Sequence, residues 1–372
     1  MTRRRVCLGA LIVLLALCGL AGLVLAISNR NLPIEPLAGE RLADVDKARL
    51  AEALHLKQAL GNAVWPAFGD ADIPVLLWNR ETSFLVGLDA APAGWQPVAG
   101  DTFLGKPYFR QSTDNPQNFA VPVGDRLAAS IATKSETDAF LVEQFRTMLP
   151  PVLDQVFPYR ALIQPSEVQI SAVLHEGFHV LQSQVAPEKL AAAEAINARE
   201  GDYWRADEAQ PASWKPEVTL LDKALKAATM EETRSLARQF IDQRQARRVE
   251  QNLPDEMVRF EQLIEWEEGL AKYVELGIWR LAATTPDYVP LAELSADPDF
   301  KGYDTFDQRW SQELNTMKQQ AGREGVTRFY YTGAAQAFLL DRLAPGWQAR
   351  AMDPEVFLDD LLAAAVSDDS SP

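Results

Sequence analysis

The spacing of apolar residues along this 372-residue chain changes near residue 135. Before that point, short runs rich in β-branched and aromatic residues alternate with turn-forming segments such as DAAPAG and STDNPQN. After it, apolar residues recur at helical spacing over long segments. Strands followed by a run of helices predict an α+β fold, in which a small N-terminal β-sheet precedes a mainly helical region.

The predicted elements can be placed on the chain. The strand segments are IPVLLWN, TSFLVGL, FAVPVG and RLAASIAT. One helical segment, KARLAEALHLKQALGNAV, precedes the strands. The helical segments after them are 138–157, 166–185, 188–200, 216–250, 255–282, 306–320, 328–343 and 354–366. We expect one domain over residues 47–366, preceded by a linker at 31–46 and followed by a disordered tail at 367–372.

The first 30 residues differ from the rest of the chain. Three arginines precede an uncharged apolar run of 22 residues, from Val6 to Ile27. This run is long enough to span a bilayer, and the arginines favour an N-terminus in the cytoplasm. Residues 1–30 are therefore predicted to be an uncleaved transmembrane anchor, with a signal peptide cleaved near Ala26 as the alternative. In both cases the domain is expected in the cell envelope or beyond it, outside the cytoplasm.

Charge and cysteine content limit the chemistry of the exported part. Residues 31–372 hold 32 basic and 52 acidic residues, a net charge of −20, which argues against nucleic-acid binding because phosphate backbones are repelled. Both cysteines, Cys7 and Cys18, lie in the leader, so the exported part can form neither a disulfide nor a cysteine metal site. A metal site there must use histidine and carboxylate ligands.

The segment QPSEVQISAVLHEGFHVLQSQVAP has the boundaries of a single helix. Pro165 precedes it and Pro187 follows it, while Ser166 and Gln169 have the spacing of a capping box. We therefore predict a helix over residues 166–185.

This helix contains two of the three histidines of the chain, in AVLHEGFHVLQ. At four residues apart, His175 and His179 project from one face, where two imidazoles can bind one Zn²⁺. Glu176 lies about 100° round the helix, where its carboxylate can act as general base toward an activated water without binding the metal itself. Gly177 is costly inside a helix and suggests a close approach by another backbone or a ligand.

A catalytic zinc site needs a third protein ligand and an open position. With the histidines used and no cysteine present, this ligand must be Asp or Glu. The segment FEQLIEWEEGLAKYVELGIW offers the best candidates. On a helical wheel, Glu267 lies near the centre of the apolar stripe and Glu268 at its edge, about 80° away.

Together with the HExxH motif of residues 175–179, two downstream segments resemble the gluzincin metallopeptidases related to the aminopeptidases. WEEGLAKYVE resembles their second zinc-ligand helix, in which the ligand is the Glu before Gly, and this implies Glu268 with Glu267 as the alternative. RFYYTGAAQAFLLDRL resembles their Tyr-x-x-Gly-Ala segment, whose tyrosine hydroxyl donates a hydrogen bond to the oxyanion of the reaction intermediate. By register the resemblance implies Tyr330, with Tyr331 as the alternative if the helix is rotated.

The resemblance covers residues 166–185, 260–280 and 328–342. It implies a zincin-like fold and a zinc-dependent peptidase that binds one Zn²⁺ and acts on a peptide or protein. The segment between His179 and Glu268 is longer than in typical aminopeptidases, and the chain lacks the Gly-x-Met-Glu-Asn strand that binds a free amino group, so endopeptidase action is favoured. RLAASIAT is expected at the edge strand that would pair with an extended substrate.

Two further functions stay open on the sequence alone. A degenerate zincin could retain the fold and act as a binding or chaperone-like protein of the envelope. A zinc hydrolase could also act on a substrate other than a peptide, such as a cell-wall amide.

Overall fold

The computed structural model describes residues 19–32, 39–114, 116–205 and 210–367. Residues 1–18 of the predicted leader, 33–38 of the linker and 368–372 of the tail lie outside the described residues. Residues 19–30 are helical and are named α1. Within the described ranges, no helix combines the length and the apolar character that a membrane crossing requires.

The predicted α+β order is confirmed, because a small mixed sheet precedes a mainly helical region. Helix α2 (Asp44–Val64) leads into the strands β1 (Val75–Trp78), β2 (Thr82–Val86), β3 (Gln96–Pro97), β4 (Phe109–Ser112), β5 (Phe119–Val123) and β6 (Arg126–Ala132). The strands lie in the order β3-β4-β2-β1-β6-β5. The four predicted strands are confirmed. Strands β3 and β4 were not predicted, since QP and FRQS lack the apolar alternation of a half-buried strand.

One edge of the sheet differs from the expectation. RLAASIAT forms β6, which pairs in parallel with β1 on one side and antiparallel with β5 on the other. The prediction that this segment is the edge strand is therefore wrong, and β5 forms the edge. The error arises because the parallel β1–β6 pairing joins strands that are distant in the sequence, which local periodicity does not reveal.

The helical region begins at Lys134. Its helices are α3 (Lys134–Met148), α4 (Pro151–Val156), α5 (Ser166–Val185), α6 (Pro187–Asn197), α7 (Glu200–Arg205), α8 (Gln210–Ser213), α9 (Lys215–Lys226), α10 (Met230–Glu250), α11 (Asp255–Ile264), α12 (Leu270–Thr284), α13 (Phe306–Gln320), α14 (Thr327–Leu343), α15 (Gln348–Ala351) and α16 (Leu358–Ser367). The single helix predicted over 216–250 is two helices, because Thr229 starts α10 by accepting a hydrogen bond from the backbone N–H of Glu232.

Helix α5 has the predicted bounds, but the predicted capping box is wrong. Pro165 is the N-cap residue, and no side chain caps the helix. The Ser166 hydroxyl accepts a hydrogen bond from Nε of Arg49 at 3.2 Å, and the Gln169 amide donates to the Ala132 carbonyl at 2.5 Å. These two side chains therefore tie the start of α5 to α2 and to the end of β6.

A π-helical turn, Glu265–Gly269, joins α11 to α12. A π turn contains one residue more than an α-helical turn, so it rotates the residues that follow it relative to those before it. The helical wheel assumed a continuous α-helix over residues 260–278. Its placement of Glu267 near the centre of the buried stripe and of Glu268 at the edge agrees with their exposures of 2 % and 9 %, although the π turn interrupts the stripe.

Helix α14 lies directly on this π turn because glycines meet at the crossing. A Cβ added to Gly269 would come within 2.5 Å of the Cα of Gly333. Real Cβ atoms do not come that close, so the two backbones can touch only where both residues lack a side chain.

A buried carboxylate holds the same crossing together. The oxygens of Glu265 accept hydrogen bonds from Thr332 at 2.6 Å and Gln336 at 2.8 Å, both on α14. They also accept two hydrogen bonds of 2.7 Å from Arg244 on α10. Because charge-assisted bonds of this kind are short and directional, the position of α14 relative to the π turn is well determined.

Candidate metal centre

His175, His179 and Glu268 form a buried group between α5 and the π turn. Nε2 of His175 lies 3.2 Å and Nε2 of His179 lies 3.4 Å from the same oxygen, Oε2 of Glu268. One potential ligand atom from each residue lies within 4.8 Å of the others, so the group could hold a metal ion. The fold thus brings together the three residues that the sequence analysis named as metal ligands.

The other ring nitrogen of each histidine faces an acceptor. Nδ1 of His175 lies 3.4 Å from Oε2 of Glu275, and Nδ1 of His179 lies 2.8 Å from Oε1 of Gln182. An acceptor at Nδ1 keeps the proton on that nitrogen and leaves Nε2 available to a cation, as is usual for metal-binding histidines. Glu275 and Gln182 therefore hold the two histidine rings in the orientation and protonation state that binding of a metal ion requires.

Glu275 and Gln182, which support the two histidines, were not predicted from the sequence. Gln182 follows His179 by three residues on the same helix, and its amide also donates to the carbonyls of Trp266 and Glu267 at 3.1 Å. It therefore ties the histidine helix to the π turn. Glu275 ends the WEEGLAKYVE segment and lies on the face of α12 next to α5. In both cases the spacing from a ligand by about one or two helical turns was the available signal.

The electrostatics of the group favour a positive charge at its centre. Burial favours a neutral imidazole, but Glu268 and Glu275 outweigh it and raise the pKa of His175 to about 10. Burial likewise opposes ionisation of Glu268, yet His179 and His175 hold its pKa well below the usual range. Several carboxylates thus surround two imidazoles.

The donor atoms of the group also match those of known zinc sites. Two imidazole nitrogens and one carboxylate oxygen are a donor set of catalytic zinc sites, so His175, His179 and Glu268 fit Zn²⁺.

Glu176, the predicted general base, lies beside the group and is 9 % exposed. Burial raises the pKa of its carboxyl, while the charges of His175 and His179 lower it. The net shift is upward. A carboxylate with a raised pKa accepts a proton more readily than an ordinary one, which suits a general base.

Tyr330, the predicted oxyanion donor, lies next to the ligand group. Its ring stacks on that of His175, with centroids 5.8 Å apart and planes inclined by 9°. Burial, and then Glu268, raise the pKa of its hydroxyl far above the usual value, so it keeps its proton at neutral pH. Tyr331 lies on another side of α14, where its ring is 5.9 Å from Nζ of Lys272. The structure therefore places Tyr330, and not Tyr331, at the centre.

Glu267, the alternative ligand, points elsewhere. The group in the described residues that could hold a metal contains Glu268 and not Glu267. Burial, together with Glu268 and Glu194, raises the pKa of the Glu267 carboxyl to about 9. Its Oε2 is buried without a hydrogen-bond partner. Both glutamates line the same cleft, but only Glu268 has a carboxylate oxygen near the histidine nitrogens.

Gly177 does not mark the close approach that was expected of it. A Cβ added there would lie 3.7 Å from Cζ of Phe68, an ordinary van der Waals contact. The close approach in this site occurs instead between Gly269 and Gly333. These glycines belong to the WEEGLAKYVE and RFYYTGAAQAFLLDRL segments.

A cleft of about 730 Å³ opens beside the metal group, between the edge strand β5 and α6, and Glu268 lies in its wall. The ring of Phe119 on β5 lies 4.7 Å from that of His179.

The hydrogen-bonding pattern of β5 follows from Pro122. Pro122 has no N–H, so Pro122 and Leu127 cannot form the two backbone hydrogen bonds of a hydrogen-bonded pair. Pairs alternate along an antiparallel ladder, and the N–H and C=O of Ala120 therefore also point away from β6. Ala120 itself lines the cleft.

Comparison with known proteins adds no relative. No protein-family model, no curated protein and no solved structure matches this chain. The resemblance to the gluzincins is thus limited to the three sequence segments, and the geometry of the metal group is the main support for a functional proposal.

Proposed function

We propose that this protein is a zinc-dependent peptidase of the cell envelope that cleaves within peptide chains. The observation that carries the proposal is the convergence of both histidine Nε2 atoms on one oxygen of Glu268, at 3.2 and 3.4 Å, beside a cleft. Such a group with one side open to a cleft is the arrangement that hydrolytic zinc sites use.

The roles of the residues follow from their positions. A zinc ion held by His175, His179 and Glu268 would polarise a substrate carbonyl and lower the pKa of water toward 7. Glu176 accepts the proton of the attacking water and, because burial raises the pKa of its carboxyl, can pass that proton to the leaving amine. Tyr330 donates its hydroxyl hydrogen to the oxyanion that develops on the former carbonyl oxygen.

The edge strand supports a peptide as substrate. An extended chain lying in the cleft can form backbone hydrogen bonds with the outward N–H and C=O of Ala120 on β5. These bonds involve only the main chain of the substrate, so they suit binding within a polypeptide and require no free terminus. A glycan strand offers no such regular ladder.

Metal content and one conservative substitution test the proposal. The full chain is purified, its zinc is measured, and a peptide library and a peptidoglycan preparation are digested in parallel. We expect one zinc per chain, cleavage inside peptides, and loss of cleavage in Glu176→Gln with zinc retained. Glu231→Gln, an exposed position on α10, is the matched control and should behave as the parent protein.

Three results would contradict the proposal. Absence of stoichiometric zinc, or unchanged activity of Glu176→Gln, would favour a binding protein that only retains the fold. Release of products from peptidoglycan without cleavage of peptides would favour a cell-wall hydrolase.

A further inference from the structure

Exposed apolar side chains are concentrated in one part of the described chain. Of the fourteen large hydrophobic residues that are exposed, nine lie on α1 or on the consecutive helices α3 and α4. They are Leu20, Leu23, Val24, Ile27, Phe140, Met148, Val152, Leu153 and Val156. Water-soluble proteins rarely expose so many neighbouring apolar groups unless they bind something there.

The two parts of this set contact each other. The side-chain amide of Asn29, near the end of α1, donates to the carbonyls of Gln155 at 3.1 Å and Phe157 at 2.8 Å. Farther along α1, a Cβ added to Gly22 would lie 3.5 Å from Cγ1 of Val156. Helix α1 thus lies along α4, and the exposed residues of α1, α4 and the adjoining end of α3 form one continuous apolar surface.

This apolar surface carries almost no free charge. The stretch 147–158, TMLPPVLDQVFP, contains a single ionisable residue, Asp154. Its carboxylate accepts a hydrogen bond of 2.5 Å from Tyr159 and lies 3.8 Å from Nε of Arg146. The one acidic group is therefore directed to partners within the domain, whereas Val152 is 78 % and Met148 is 66 % exposed.

We propose that α4 and the adjoining end of α3 lie in the interface of a lipid bilayer beside α1, as a second membrane contact of the domain. The sequence of α1 ends the uncharged run Val6 to Ile27, and the residues before it contain three arginines and no acid. A surface continuous with such a segment meets lipid wherever that segment is inserted. Arg146, beside the apolar surface and half exposed, is placed to bind lipid phosphates. This inference is independent of the catalytic proposal.

Fluorescence quenching in vesicles tests the contact on the full chain. Cys7 and Cys18 are replaced by serine, and a polarity-sensitive probe is attached through Val152→Cys. The matched control is Val289→Cys, a valine of similar exposure, 70 %, in a loop outside the apolar surface. Each protein is reconstituted in phosphatidylcholine–phosphatidylglycerol vesicles and exposed to spin-labelled lipid or to aqueous iodide.

We expect the probe at position 152 to be quenched at least several-fold more by spin-labelled lipid than the probe at 289, and several-fold less by iodide. Equal iodide quenching at both positions would overturn the proposal. Protection that persists in detergent, without lipid quenching, would show that residues 1–18 of the same chain cover the surface. Protection that disappears at low protein-to-lipid ratio would show a second copy of the chain there instead. Both of these results would also overturn it.

Discussion

Gly269→Ala is expected to damage the candidate metal centre although it removes no functional group. The new Cβ would lie 2.5 Å from the Cα of Gly333 and 2.9 Å from its carbonyl carbon. Carbon atoms pack at about 3.5–4.0 Å, so α14 and the π turn must separate by roughly 1 Å. Overpacking of this kind costs about 1–3 kcal/mol, of which the better helix propensity of alanine offsets about 1 kcal/mol.

The loss of function should exceed the loss of stability. The net destabilisation is about 0–2 kcal/mol by these figures, which a domain of this size tolerates. The displacement, however, separates Tyr330 on α14 from Glu268 on the π turn. A misplacement of roughly 1 Å can reduce the rate of an enzyme about 100-fold. We therefore expect a folded protein with weakened zinc binding and greatly reduced peptide hydrolysis.

Gly177→Ala is the matched control, because it makes the same substitution within the HExxH segment itself. Its Cβ would lie 3.7 Å from the nearest atom of Phe68, so the substitution should be neutral or should stabilise the protein by up to about 1 kcal/mol. Urea unfolding gives the stability of both variants, and competition with a chromophoric chelator gives their zinc affinity. If Gly269→Ala equals Gly177→Ala in stability, zinc affinity and hydrolysis, the glycine crossing does not position the candidate metal centre.

Three other predictions concern single residues. Glu268→Gln should abolish stoichiometric zinc binding while Glu267→Gln retains it, as measured by metal analysis; the reverse result would contradict the assignment of the third ligand. Tyr330→Phe should lower kcat by about 10²–10³-fold with zinc content unchanged, whereas Tyr331→Phe should leave kcat within a factor of a few. Although burial opposes its ionisation, the buried arginines of α10 hold the folded-state pKa of Glu261 well below its ordinary value of 4.5. The stability from this carboxylate is therefore complete above about pH 4.5 and is lost as the pH falls below it, which urea midpoints between pH 7 and pH 3 would show; a midpoint constant over that range would contradict the prediction.

The helices of the site follow closely from local sequence signals. Pro165 and Pro187 exclude helical continuation on either side of α5, and its observed bounds are those predicted. The i, i+4 spacing of His175 and His179 places both rings on one face of any α-helix. Such features depend only on neighbouring residues, which explains why they were predictable.

Features that depend on distant residues were not predictable in this way. The capping box failed because Arg49, far away in the sequence, binds the Ser166 hydroxyl. The edge strand was misassigned because β6 pairs directly with β1, although four strands separate the two in the sequence. In both cases a tertiary contact competes with the local interaction, and its free energy does not appear in a short window of sequence.

The metal group shows the same division. The sequence by itself determined the types of ligand, because residues 31–372 contain three histidines, no cysteine and many carboxylates. It left open which of two adjacent glutamates completes the group. The tertiary structure decided for Glu268, because its Oε2 lies 3.2 and 3.4 Å from the Nε2 atoms of the two histidines. The contact of Gly269 with Gly333 holds the π turn that carries Glu268 against α14. A helical wheel has a fixed period, so it cannot represent the extra residue of a π turn. The turn itself is stabilised by packing between helices, which a short window of sequence does not record.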